Sequence, residues 1–138
     1  MAKKRVYVAF DYDDRSVKGD FIAQSKQPDC PFDVIDCSIE KPIDRNWPLT
    51  AEQRIRSCDC VVILCGEQTH QAGGASIELQ IAQRLMKPRI FLAATRQGTP
   101  TAPDHTPAGT PIWTWRWRIV SDLLDGKTPP PDAIVRRA

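Results

Sequence analysis

The sequence predicts an α/β domain built on a parallel five-stranded sheet with helices on both faces. Two observations carry this. Apolar runs of strand length alternate with helix-length segments along most of the chain, and turn signals such as Lys87–Pro88 and Gly126 separate them. The chain has 138 residues, which suits one domain that buries roughly two thirds of its unfolded surface in a single core.

The first strand is Arg5–Phe10, and a helix follows at about Ser16–Ser25. A short second strand, Asp33–Asp36, leads into the loop Ser38–Pro48 and a helix at about Ala51–Ser57. The third strand, Asp59–Cys65, is a continuous apolar run after its first residue, as a strand buried on both faces should be. Beyond the turn Gly66–His70, a helix spans about Ser76–Met86 with Ile77, Ile81, Ala82 and Leu85 apolar. Lys87–Pro88 ends it, because the residue before a proline is pushed out of the α region. Arg89–Ala94 is the fourth strand. Residues 96–111 hold four prolines, two glycines and four threonines and read as an exposed loop.

Ile112–Trp115 then forms a short edge strand, and Arg116–Leu124 a last helix with Ile119, Val120, Leu123 and Leu124 inward. Alternation along the strand puts Trp113, Trp115 and Trp117 on one face, which gives them a structural role. Gly126 stops the helix. The domain is therefore expected over 1–126, with 127–138 a poorly ordered tail around Pro129–Pro131. Five βα units of this size suggest a flavodoxin-like sheet of order 2-1-3-4-5, with its switch point between strands one and three.

Bulk properties narrow the function. The net charge of +2 is spread without a basic run, which argues against nucleic acid as a partner. No apolar stretch reaches the roughly 20 residues that span a membrane. Met1–Arg5 runs straight into a strand with no cleavage-site region, so no signal peptide and a cytoplasmic location are expected. The five cysteines are an odd number with no CxxC spacing, which suits small buried thiols in a reducing compartment and no metal.

Open α/β sheets bind ligands outside the carboxyl ends of their strands at the switch point. Here that brings Phe10–Asp14 beside Gly66, Thr69, His70 and the amino end of the following helix. The acidic loop does not suit a bare phosphate, which argues against an FMN flavodoxin. Leu64–Gly66 stands where a response-regulator receiver needs its phosphoacceptor aspartate.

Glu78 stands out in that helix. Ile77, Ile81, Ala82 and Leu85 span an arc of roughly 140°, and Glu78 falls inside it. A carboxylate there without partners would cost several kcal/mol. Near a helix amino terminus, such a group beside hydroxyls and an aromatic wall suits cleavage of an N-glycosidic bond. It would stabilise an oxocarbenium-like transition state or attack the anomeric carbon. The alternative is a solvated first-turn glutamate that complements the helix dipole, worth about 0.3–1 kcal/mol.

Several motifs together resemble a known family. They are Lys4–Val6 through Phe10–Asp14, Ile55–Asp59, Gly66 with Thr69–His70 and Glu78 nine residues after Thr69, Gln80–Ala82, Lys87–Ile90, and Trp113–Trp115. In this combination the chain, over about residues 3–125, is similar to the TIR-like domain family that includes the Thoeris antiphage TIR proteins. The resemblance implies a flavodoxin-like fold. For the Thoeris members it also implies cleavage of NAD with release of nicotinamide and formation of a cyclic ADP-ribose-type signal, with Glu78 at the catalytic position. Many relatives have a tryptophan at the start of the glutamate helix, where this chain has Gly73–Ser76.

On that reading NAD is substrate rather than cofactor, no other cofactor is implied, and the site draws on further residues. Phe10 and Tyr12 pack against a nicotinamide or adenine ring, unless Phe10 continues the core alternation of Val6 and Val8. Asp11, Asp13 and Asp14 bind ribose hydroxyls or else initiate the helix. Thr69 and His70 contact ribose or phosphate or form a self-bonded turn, and His70 is also a possible general acid. Ser38 faces the substrate from the loop after strand two, and Trp47 in the same loop covers a ligand, a partner or its own core. The expected partners are a second copy of the chain and a nucleotide-sensing effector that responds to the product. The alternatives are a non-catalytic self-association module and a nucleoside deoxyribosyltransferase-like enzyme with a glutamate nucleophile.

Overall fold

The computed structural model describes residues 4–10, 15–28, 30, 32–37, 47–71, 73–94 and 98–138, apart from the side chains of 15–18, 35–37 and 47. The strands are β1 (Lys4–Ala9), β2 (Phe32–Cys37), β3 (Cys60–Cys65), β4 (Arg89–Ala93), β5 (Pro111–Trp113) and β6 (Ile134–Arg137). The helices are α1 (Arg15–Ser25), α2 (Trp47–Arg56), α3 (Gly73–Arg84) and α4 (Trp117–Leu124). They form one sheet of order β2-β1-β3-β4-β5-β6. The first five strands are parallel, and β6 pairs antiparallel with β5. This is a flavodoxin-like α/β fold with the switch point between β1 and β3, as the alternating pattern predicts.

Strand alternation divides the core. Val6, Val8, Val62, Leu64 and Leu92 point to the face covered by α1 and α4, together with Phe21, Phe32, Val120 and Leu124. Tyr7, Ala9, Val61, Ile63 and Phe91 point to the opposite face, under Ala51 and Ile55 of α2 and Leu79, Ile81 and Ala82 of α3. The three tryptophans all pack on the first face, but strand alternation is not the cause. Trp113 belongs to β5, Trp115 to the connection and Trp117 to α4. Trp115 lies tilted against Phe21 with ring centroids 5.8 Å apart and donates Nε1–H to Gln24 Oε1 at 3.1 Å, while the ring centroids of Trp117 and Phe32 are 5.7 Å apart.

The element ends correct the sequence reading at α2, at α3 and in the C-terminal segment. Helix α2 starts at Trp47, not Ala51, because Pro48 is compatible with a first helical turn, where its missing N–H would be unpaired anyway. Trp47 thus begins a helix instead of sitting in a loop. Helix α3 starts at Gly73 and ends at Arg84. Its end is a Schellman turn: Lys87 N–H donates to Ala82 O and Met86 N–H to Gln83 O, with Met86 at φ 57°. Helix α4 closes the same way on Gly126, at φ 78°. Finally, residues 127–138 are not a loose tail: Pro131–Ala133 forms a single helical turn and Ile134–Arg137 becomes the sixth strand. Thr114 N–H donates to Ala133 O at 2.7 Å and Ala138 N–H to Thr110 O at 2.8 Å, so the segment is fixed at both ends.

Candidate active site

Glu78 lies in the second turn of α3, deeper than the helix-start position read from the sequence. It is 1% exposed, and among the described residues it is the one side chain of a charged type that is buried. The buried arc of α3 runs through Ala75, Ser76, Glu78, Leu79, Ile81 and Ala82. Ile77, expected to face inward, is 37% exposed, so the helix is rotated to put Glu78 well inside the buried arc.

The partner that meets it comes from β1. Tyr7, 0% exposed, donates its phenolic O–H to Glu78 Oε2. Tyr7 pairs regularly with Val61 of β3, so the contact lies beneath the β1–β3 switch point, and α3 packs across both strands. On the other side of β1 the register with β2 slips between Val6, which pairs with Val34, and Tyr7, which pairs with Asp36. This irregularity lies beside the residue that reaches Glu78, and bulges of this kind re-aim side chains next to functional sites.

The turn between β3 and α3 is held by hydrogen bonds of Thr69 and Thr101. Thr69 is fully buried and its Oγ1 accepts from Gly66 N–H at 2.7 Å, so Thr69 holds the turn in shape. His70 is exposed; its backbone N–H donates to Thr101 Oγ1, and its Nδ1 lies 3.0 Å from the same oxygen. The Thr101 hydroxyl has one proton and reaches Gly66 O and Glu67 O, each at 3.1 Å. The segment 98–106 is tied to α3 as well: Ser76 Oγ donates to Asp104 O at 3.2 Å, and Gln83 Nε2 to His105 O at 3.0 Å.

The other sequence-predicted residues separate. Phe10 is buried among the α1/α4-face residues, on the opposite side of the sheet from Glu78, which is the core alternative for this residue. Asp11, Tyr12, Asp13, Asp14 and Ser38 lie outside the described residues, as does the side chain of Trp47. Of the sequence-predicted residues that are described, Glu78 meets Tyr7, Thr69 is buried within its own turn and His70 is exposed and meets Thr101. The structure adds Tyr7 and Thr101, which the sequence does not single out. Alternation with Val6 and Val8 was the available signal for Tyr7: a tyrosine buried on the second face needs a partner for its hydroxyl.

Among the described residues two grooves are seen, one along α3 and one under the segment after β4, and Glu78 lines neither of them. One, of about 260 Å³, runs between α2 and α3 past Leu49, Glu52, Ile77 and Arg84. The other, of about 430 Å³, lies under segment 100–106 and is lined by His70, Thr101, His105, Ile112 and Arg136. Among the described residues no group of three or more His, Cys, Asp or Glu is placed to hold a metal ion. The thiols at the foot of β3 are hard to ionise. Burial pushes Cys60 up to about 12, and it raises Cys58 too, against the opposing pull of the Lys87 ammonium. No helix among the described residues is long and apolar enough to cross a membrane.

No family model matches this chain, and none of the curated proteins matches it in sequence.

Proposed function

We propose that this chain is a TIR-like enzyme that cleaves NAD in the cytoplasm, with Glu78 as its catalytic carboxylate. One observation carries the reading: a glutamate 1% exposed, beneath the switch point, in a core face that is otherwise largely apolar and would gain from a hydrophobic residue there. A group that works against folding at a ligand-binding locus is best explained by chemistry.

In this reading the bond between ribose C1′ and the nicotinamide nitrogen breaks, and nicotinamide leaves neutral with the bonding electron pair. The ribosyl carbon becomes oxocarbenium-like, and the Glu78 carboxylate stabilises or captures it. Water then gives ADP-ribose and a proton. Attack by a nucleophile within the same ADP-ribosyl group instead gives a cyclic product, the form a nucleotide-sensing effector would read in antiphage signalling. Turnover rises with self-association of the chain. Thr69 and Thr101 hold the β3–α3 turn, on which His70 is exposed.

The non-catalytic reading has its own support. A carboxylate this buried, hydrogen-bonded by a phenol, also satisfies itself as a structural pair, and the exposed Leu49 and Ile77 beside it offer a surface to another chain. One assay separates the readings. Purified protein is incubated with NAD and, separately, with deoxynucleosides, and the free base is followed. Release of nicotinamide, lost by about 100-fold or more in Glu78→Gln, supports the proposal. Base release only from deoxynucleosides would point to the transferase alternative, and no release from either to the interaction module.

A further inference from the structure

We infer that Tyr7 is a positioning residue for the Glu78 carboxylate, an inference that rests on the catalytic reading of Glu78. The two residues are 71 positions apart in sequence, and both side chains are essentially inaccessible, yet phenol and carboxylate meet directly. The contact is fixed at both ends. Tyr7 sits in a strand paired on both sides, with regular register to Val61 and the register slip toward β2 beside it. Glu78 is flanked on α3 by the buried Leu79 and by Ser76, which is bonded to Asp104 O.

The donor's chemistry is what makes this more than satisfaction of a buried polar atom. A lysine or arginine at position 7 would hold the carboxylate but cancel its charge, and the charge is what a developing ribosyl cation needs. A phenol holds one oxygen in place without bringing a positive charge. Removing that hydroxyl while keeping the ring therefore loosens a group whose orientation matters most in the transition state.

The test compares the parent, Tyr7→Phe, Glu78→Gln and the double variant for nicotinamide release, with thermal melts to fix an assay temperature at which each is folded. Tyr7→Phe should lower kcat by about tenfold or more, with KM within about threefold of the parent. In the Glu78→Gln background the same substitution should leave the residual rate unchanged within about twofold, because a residue acting only through Glu78 has nothing left to position. 4-Aminophenylalanine in place of Tyr7 restores a neutral N–H donor on the same ring and should recover kcat to within about threefold of the parent. It also gives the reading should Tyr7→Phe fail to fold. A Tyr7→Phe kcat within twofold of the parent, an equal fractional loss in both backgrounds, or no recovery with the folded amino variant overturns the inference (~twofold being the additivity margin). A parent that releases no nicotinamide overturns the reading of Glu78 first and this inference with it. An active parent with an inactive Glu78→Gln leaves Tyr7 to be judged by its own variants.

Discussion

Thr101→Val removes one hydroxyl and keeps the shape of the side chain, so it isolates what ties segment 98–106 to the β3–α3 turn. In the parent, Thr101 Oγ1 accepts from His70 N–H at 3.0 Å and sends its single proton to Gly66 O or Glu67 O. Gly66 O keeps a second donor, the Thr101 N–H at 2.8 Å, so its loss is partial. The His70 Nδ1 contact at 3.0 Å is exposed and water replaces it, so the other two hydrogen bonds, each worth about 0.5–1.5 kcal/mol net, give a destabilisation of about 1–2 kcal/mol. For a chain of this length an unfolding entropy of about 2.1 cal/mol/K per residue converts each kcal/mol to roughly 3 °C, so Tm should fall by about 3–7 °C. Amide exchange measured across 67–71 should show His70 N–H losing protection, because its acceptor is gone. Thr101→Ser, which keeps the hydroxyl, should leave that protection in place. A Thr101→Val melt within about 1 °C of the parent together with unchanged exchange at His70 would refute the assignment of Thr101 as the tie.

The buried thiol at Cys60 gives a pH signature. The fold holds its proton up to about 12, whereas a thiol in the unfolded chain ionises near 9, so its contribution is intact below pH 9 and is lost as pH rises toward 12, at about 1.4 kcal/mol per unit. Denaturant melts at pH 7–10.5 should therefore fall less steeply with pH for Cys60→Ala than for the parent, and parallel curves would contradict its burial. Met86→Gly should raise stability by about 0.5–1 kcal/mol, since a positive φ of 57° strains methionine and not glycine; a thermal melt checks it. Trp117→Ala should lower stability by about 2–3 kcal/mol, below the full core value because the ring is half-buried, while nicotinamide release below the melting temperature stays at the parental rate. On the self-association reading, turnover per subunit should rise from nanomolar to micromolar protein and the rise should weaken in Trp47→Ala; a flat profile with a monomer in light scattering would remove that part of the proposal.

The strands and their order are legible because hydrophobic period and turn chemistry agree there: Cys60–Cys65 is apolar throughout, and Arg89–Ala93 follows directly on a proline. The ends of helices are less legible, for local reasons. Gly73–Gly74 reads as loop because glycine is a poor helix former, but it occupies the first turn of α3, where backbone N–H groups are unpaired in any case. Trp47–Pro48 fails the same way, because proline marks a break in a helix interior and a tolerated start in its first turn. Strand β6 is hidden behind three prolines, and its pairing with β5 is a tertiary event that composition does not signal. For the site, the helical arc around Ile77–Leu85 placed Glu78 inside the buried face, and the structure agrees. The Tyr7 contact spans 71 residues, and no local period encodes it.

The two faces of the sheet do different physical work, and this bears on where chemistry can sit. The α1/α4 face is filled by stacked and tilted aromatic rings, with Phe21 and Phe32 centroids 5.4 Å apart and tryptophans at their edges. Large rigid rings interlock, so a cavity or polar group there would disrupt many contacts at once. The α2/α3 face includes smaller residues, Ala9, Ala51, Cys65, Ala82 and Ala93 among them, and Tyr7 packs with them. Between β4 and β5, where a doubly wound fold has room for another helix on this side, segment 98–106 spans the gap and reaches α3 through Ser76 and Gln83. The segment is also held by Thr101 N–H to Gly66 O at 2.8 Å and by Ala102 against the core, but no helix–sheet interface runs through it. Displacing the side-chain ties of this segment costs a few hydrogen bonds at about 1 kcal/mol each, whereas opening the aromatic face would cost core packing.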